Sequence, residues 1–325
     1  MRTLTLEEHF ATDAFYRATG GYRPGTPPQM AAMQPKLLDL GAGRLAAMDE
    51  AGIDYQVLSL ASMGMDTLAA ETATPLARDV NDELVAAIAA HPTRFGGFAT
   101  LALQDPQQAA KELERCITRL GFLSVMLDGT SGGLFLDDAR FTPIWEAAAQ
   151  LGVPVYLHPA LPPEPVKKAY YSGLPDPLGQ LLSIAGWGWH AELGLHTLRL
   201  IVSGLFDRLP TLQLIIGHMG EGLPYALARS SAVLSHAAPS LRQPVANYFK
   251  TNIHLTTSGY FTAPPLKCAL EVIGIDRMMF SIDYPFSPNT RGRAYLDELQ
   301  HQLPEEDFAK LTHANAEKLL NLRKA

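Results

Sequence analysis

Leu4-Thr-Leu-Glu-Glu-His-Phe10 is a short apolar run interrupted by two acids and an imidazole. Residues two apart on a strand share a face. Glu7 and His9 therefore leave such a strand side by side, and a carboxylate beside an imidazole makes half of a divalent-metal site. Glu-x-His alone recurs by chance. It gains weight because three further apolar runs end on a polar group followed by Pro or Gly: Tyr156-Leu-His158-Pro159, Ile215-Ile-Gly-His218-Met-Gly220, and Phe280-Ser-Ile-Asp283-Tyr-Pro285.

Between these runs, strand-like and helix-like text alternates. After the first strand, the pattern predicts strands at 54–60, 95–101, 122–127, 153–158, 212–218, 252–258 and 278–283. Helices fall at 44–51, 76–90, 105–120, 143–151, 191–209, 224–235 and 264–273, with a last one from Pro304. Eight strands alternating with helices form a parallel α/β sheet, and eight closes most naturally into a (β/α)8 TIM barrel. The open doubly wound sheet is the competitor, but the chain has no GxGxxG after an early strand and no GxxxxGK[ST]. A chain of 325 residues suits one barrel domain spanning 1–325. Long loops at about 11–42 and 159–190 read as covers over a site.

Composition narrows the function. The chain is 47% hydrophobic and 18% charged, as expected of a packed globule. Net charge is −7 and no Lys/Arg-rich run is present, which argues against a nucleic-acid partner. Cys116 and Cys268 form neither a disulfide framework nor a CxxC pair, so a reducing, cytoplasmic setting is expected. No basic-then-apolar leader and no apolar run of about 18 residues is read, so no membrane partner is expected.

In such barrels the chemistry sits where strands pass into βα loops. Those positions hold Glu7, His9, His158, His218 and Asp283. Desolvating five such groups unpaired would be costly, and a shared cation removes that cost. The two imidazoles and two carboxylates of Glu7, His9, His158 and Asp283 suit one Zn²⁺ or Mn²⁺. Strand four ends Met126-Leu-Asp128-Gly129, without a lysine for a bridging carbamate, so one metal is expected. His91, His236, His301 and His313 read as ordinary hydrogen bonders and Asp54 as a turn cap. Asp128 and His190 are candidates to reach the pocket.

Seven segments in order carry a resemblance: Leu6–Phe10, Tyr156–Pro159, Ser203–Asp207, Gly217–Tyr225, Thr256–Gly259, Phe280–Phe286 and Asn315–Leu319. With them the chain resembles the amidohydrolase superfamily, and within it the aromatic-acid decarboxylases that act on γ-resorcylate, 2,3-dihydroxybenzoate and 5-carboxyvanillate. The resemblance implies that Glu7, His9, His158 and Asp283 hold the metal and that His218 and Glu221 pair beside it. It also implies an Arg229 near the substrate and a homo-oligomer, dimer or tetramer. Hydrolases of the superfamily commonly show His-x-His where this chain has Glu7-x-His9. The reaction implied is non-oxidative decarboxylation of a hydroxylated benzoate, with Asp283, His218 and Glu221 as the catalytic group. Asp283 would supply the proton and His218 would orient the substrate or relay it, while Phe10, Trp187, His190 and Phe286 line the ring's pocket. A metal-dependent lactone or amide hydrolase on the same scaffold is the alternative. A barrel that has lost activity is a third reading, against which four intact ligands speak.

Overall fold

A computed structural model describes residues 2–21, 31–61 and 63–322. Its eight strands are β1 (Leu4–Phe10), β2 (Tyr55–Leu60), β3 (Phe95–Ala99), β4 (Ser124–Asp128), β5 (Val155–His158), β6 (Leu214–Ile216), β7 (Ile253–Thr256) and β8 (Met278–Met279). They pair in chain order, every ladder parallel. A parallel bridge between Glu8 and Tyr284 joins the last segment back to the first, closing the (β/α)8 barrel.

Strand alternation divides the apolar side chains into two cores. Val57, Phe98, Met126, Tyr156, Ile215 and Met279 join Leu4 and Leu6 in a small cluster that fills the barrel. Their neighbours along the strands, such as Val125, Leu127, Val155 and Leu157, join the larger cluster packed against helices. The first strand changes phase partway. Thr5 pairs with Gln56 but Glu8 with Leu58, so β1 carries one extra residue, a β-bulge. Without it, Leu4 and Leu6 would be followed inward by Glu8 and Phe10; with it, Glu7 and His9 take the inner face.

Several expected boundaries move. Strand eight is a two-residue ladder, and Asp283 lies beyond it. The loop expected at 159–190 contains helices Glu164–Tyr171 and Leu178–Ser183, and a further helix starts at Gly188. The loop at 11–42 contains helices Asp13–Thr19 and Gln34–Leu38, while its stretch 22–30 lies outside the described residues. Helices Val245–Thr251 and Asn289–Leu299 were not expected at all. Four of these unexpected helices begin directly after a proline, at Pro163, Pro177, Pro244 and Pro288. A proline at a helix start reads in sequence like loop punctuation. The helix expected over 191–209 is broken at Gly204, whose φ of 75° ends regular winding after Val202. Among the described residues no helix is long and apolar enough to cross a membrane, and both cysteines are free.

Candidate metal centre

Four strand ends converge at one mouth of the barrel. Glu7 and His9 come from β1, His158 from the last position of β5, His218 from the turn after β6 and Asp283 from the segment after β8. Ligand atoms of Glu7, His9 and His158 lie within 4.8 Å of one another. His9 Nε2 stands 3.3 Å from Asp283 Oδ1, and Glu7 Oε1 is 3.4 Å from His158 Nε2 and 3.7 Å from His218 Nε2.

Each histidine is oriented by a partner on its other nitrogen. His158 Nδ1 meets Asp128 Oδ1 at 3.0 Å, His218 Nδ1 meets Glu221 Oε1 at 2.7 Å and His9 Nδ1 meets Ser59 Oγ at 3.3 Å. A carboxylate can only accept, so Asp128 holds the Nδ1–H form of His158 and leaves Nε2 with its lone pair toward the centre. Glu7 is divided in the same way. Its Oε2 accepts from the hydroxyls of Tyr156 and Ser258, while its Oε1, fully buried, has no hydrogen-bond donor. A buried carboxylate oxygen without a donor, facing imidazole nitrogens turned toward it, fits a divalent cation.

Electrostatics sharpen the division of roles. Burial opposes charge on His218, but Glu221 and Glu7 outweigh it and hold the imidazole well above its ordinary range. Glu221 is the converse: burial would raise it, yet His218 and His190 keep it low. Burial also works against Asp283, whose contacts with His218 and His9 nevertheless hold its carboxyl down to about 2. His218, Met219 and Glu221 after β6, and Asp283 after β8, all have positive φ (46°, 57°, 56° and 71°). Non-glycine residues in that region cost roughly 1–3 kcal/mol each and gather where function demands them. Gly217 lets the β6 turn approach: a Cβ there would meet Glu7 Oε2 at 2.5 Å.

The structure sorts the other candidates. His190 joins the cluster, but as a brace: its Nδ1 meets Glu221 Oε2 at 2.5 Å and its Nε2 meets the Ala185 carbonyl at 3.1 Å. A cavity beside it is lined by Trp187, His190, His218, Glu221 and Tyr260. The Phe286 ring sits 5.6 Å from His9 and is partly exposed. Phe10 is not in the pocket. Next to His9 on β1, it faces the other side of the strand, where it is fully buried in the core shared with the helices. Arg229 is exposed on helix Leu223–Ala237.

Sequence reading missed Tyr156, Ser258 and Ser59. Tyr156 was legible: it lies two residues before His158 on β5 and so shares its face. Ser258, with φ 21°, sits in an irregular turn for which no periodicity speaks.

A family model described as Amidohydrolase matches residues 30–322. The decarboxylase orsB of Emericella nidulans is 38% identical over 327 residues, covering 98% of this chain and 97% of that one. The gamma-resorcylate decarboxylase of Polaromonas sp. is 37% identical over 332 residues, covering 99% of each. A crystal structure of a dihydroxybenzoic acid decarboxylase from Polaromonas sp., with bound manganese and the inhibitor 2-nitroresorcinol, aligns at TM-score 0.90 and 35% identity. It covers 100% of this chain and 98% of that one. Match, full-length likeness and strand-end cluster agree, and the chain belongs to the amidohydrolase family.

Proposed function

We propose that the protein is a metal-dependent carboxy-lyase that decarboxylates a hydroxylated benzoate without oxidation. The observation that carries this reading is full-length likeness to decarboxylases in a chain whose barrel mouth presents Glu7, His9, His158 and Asp283 together. Those four residues would hold one Mn²⁺ or Zn²⁺. When bound, the cation supplies Lewis-acid neutralisation for the carboxylate and ortho-phenolate oxygens of a substrate.

The chain's own groups perform the proton work. Decarboxylation requires a proton on the ring carbon that bears the carboxylate; the carbon–carbon bond then breaks, its electron pair returns to the ring and CO2 leaves. Asp283 is the donor in this reading. Its carboxyl is held down in the free site, so it must take up a proton as the substrate settles, from the substrate's phenol or from the cationic His218. His218, held cationic by Glu221 and 3.9 Å from Asp283 Oδ2, is the neighbouring group that orients the substrate carboxylate or passes a proton. Phe286 and Tyr260 offer aromatic surface on either side of the cluster.

Incubating metal-replete protein with 2,6-dihydroxybenzoate and other 2-hydroxybenzoates tests the reading by CO2 release. Acid release from lactones or amides, with no CO2 from any hydroxybenzoate, would favour the hydrolase. A second copy is also part of the proposal. Tyr170, Leu174, Leu178, Leu181 and Leu182 leave an exposed apolar face on helices Glu164–Tyr171 and Leu178–Ser183 and the turn between them, larger than isolated surface residues explain.

A further inference from the structure

The weakest seam of the barrel lies under its metal centre. β8 offers only Met278 and Met279 to its ladder with β7, yet Asp283 must be held opposite Glu7 and His9 on β1. Two main-chain hydrogen bonds join β1 to this segment at the Glu8–Tyr284 bridge: Asp283 N to Glu7 O at 3.0 Å and His9 N to Tyr284 O at 2.6 Å.

Side chains supply the rest. Glu8, turned to the outer face by the bulge and fully buried, accepts the Ile282 N–H on Oε1 at 3.0 Å and the Tyr284 N–H on Oε2 at 3.1 Å. These are the N–H groups of the residues on either side of Asp283, whose φ of 71° no β-ladder would maintain. Ser281 works in the reverse direction, its Oγ accepting the N–H groups of Leu6 and Glu7 at 2.8 and 3.0 Å. Its own N–H donates to Thr257 Oγ1 at 3.0 Å, tying the stitch to β7. Arg44, fully buried, donates from Nη2 to His9 O at 2.6 Å and lies over the Tyr284 ring at 4.9 Å.

We infer that Glu8 and Ser281 are positioning residues that clamp the open β8 end to β1 and so set the separation of Asp283 from Glu7 and His9. Both act through main chain, Ser281 on the N–H of Glu7 and Glu8 on the N–H groups either side of Asp283. Glutamine at position 8 keeps the volume but offers one acceptor oxygen where two N–H groups point, and its NH2 opposes one of them. Supporting groups of this kind typically change metal affinity by roughly 10- to 100-fold.

The inference rests on the metal centre proposed above, and its test reads Mn²⁺ affinity directly. Metal-free wild type, Glu8→Gln, Ser281→Ala and Asn252→Ala are titrated with Mn²⁺ by calorimetry, and the melting temperature of each metal-free form is measured. Asn252 is the control: it holds the Pro210 and Leu212 carbonyls at the start of β6 and β7, the other end of the barrel. Glu8→Gln and Ser281→Ala are expected to bind Mn²⁺ at least tenfold more weakly, whereas Asn252→Ala melts lower and binds as wild type. If Glu8→Gln does not fold, Ser281→Ala, which removes one hydroxyl, carries the same expectation alone. Wild-type affinity in the clamp variants, or loss of affinity in Asn252→Ala in step with its melting, overturns the clamp. A wild type that binds no Mn²⁺ overturns the metal centre and the clamp with it.

Discussion

At the scale of single residues, the site separates groups that bind from groups that react. His158 has its Nδ1 committed to Asp128 and its Nε2 facing Glu7, so removing the ring removes a donor that no neighbour replaces. His158→Ala is expected to lose metal and turnover together, measured by metal content and by CO2 release. Asp283 is different, because an amide retains one oxygen that can face the cation but has no proton to give. Asp283→Asn should keep metal at reduced affinity while kcat falls roughly 10²- to 10⁴-fold, the usual contribution of a positioned acid. Wild-type kcat in that variant would remove Asp283 from the proton step. Glu7, His9, His158 and Asp283 were all legible as strand-end polar residues. Phe10 was misread against the alternation that pairs Glu7 with His9, since the residue next to His9 faces the other side; what nothing local in Leu4–Phe10 announces is the bulge that brings Leu4 and Leu6 to the same inner face.

Elements position these residues through their irregular parts. β1 bulges, β6 ends in a tight turn of left-handed residues, and β8 stops after two residues. The β6 turn can approach Glu7 only because Gly217 has no side chain. Gly217→Ala is therefore expected to displace the Glu7 carboxylate and weaken Mn²⁺ binding more than tenfold in protein that still folds, since the strain falls on the site and not on either core. Titration of the purified variant checks this, and wild-type affinity would mean that the turn gives way instead. Regular helices with apolar periodicity, such as Pro106–Thr118 capped by Asp105, were readable within two residues. The short helices after Pro163, Pro177, Pro244 and Pro288 were not, because a few turns carry little periodic signal and proline masked their starts.

Across the whole molecule, stability should depend on a buried neutral histidine outside the candidate metal cluster. His196 Nε2 accepts the Leu136 N–H at 2.9 Å, which only an unprotonated nitrogen can do. Burial, with Arg199 adding to it against the pull of Asp137, lowers this ring to about 4 from an ordinary value of 6.5. The unfolded chain then binds the extra proton between those values, so the contribution is complete above about pH 6.5 and is lost as pH falls toward about 4. Relative to His196→Gln, the wild type should lose up to about 3 kcal/mol of unfolding free energy between pH 7 and pH 4. Denaturant titrations at the two pH values measure it, and parallel losses in the two proteins would exclude His196. The exposed leucines of helix Leu178–Ser183 make the other whole-molecule expectation, which follows from the proposed second copy: Leu178→Glu with Leu181→Glu should lower the sedimenting mass toward that of one chain, and an unchanged mass would place any interface elsewhere.

The order of the strands and of the longer helices between them, the eightfold count and the chemistry of the candidate metal ligands were legible in sequence alone, because alternation and apolar run length are local properties. The tertiary structure decided which face each residue of β1 presents, how β8 is joined to β1 without a ladder, and that His190, while lining the cavity, braces Glu221. Those outcomes depend on contacts between separate segments, from the His190–Glu221 pair to the β1–β8 joint more than 200 residues apart, and between strands a shift of one position exchanges inside for outside.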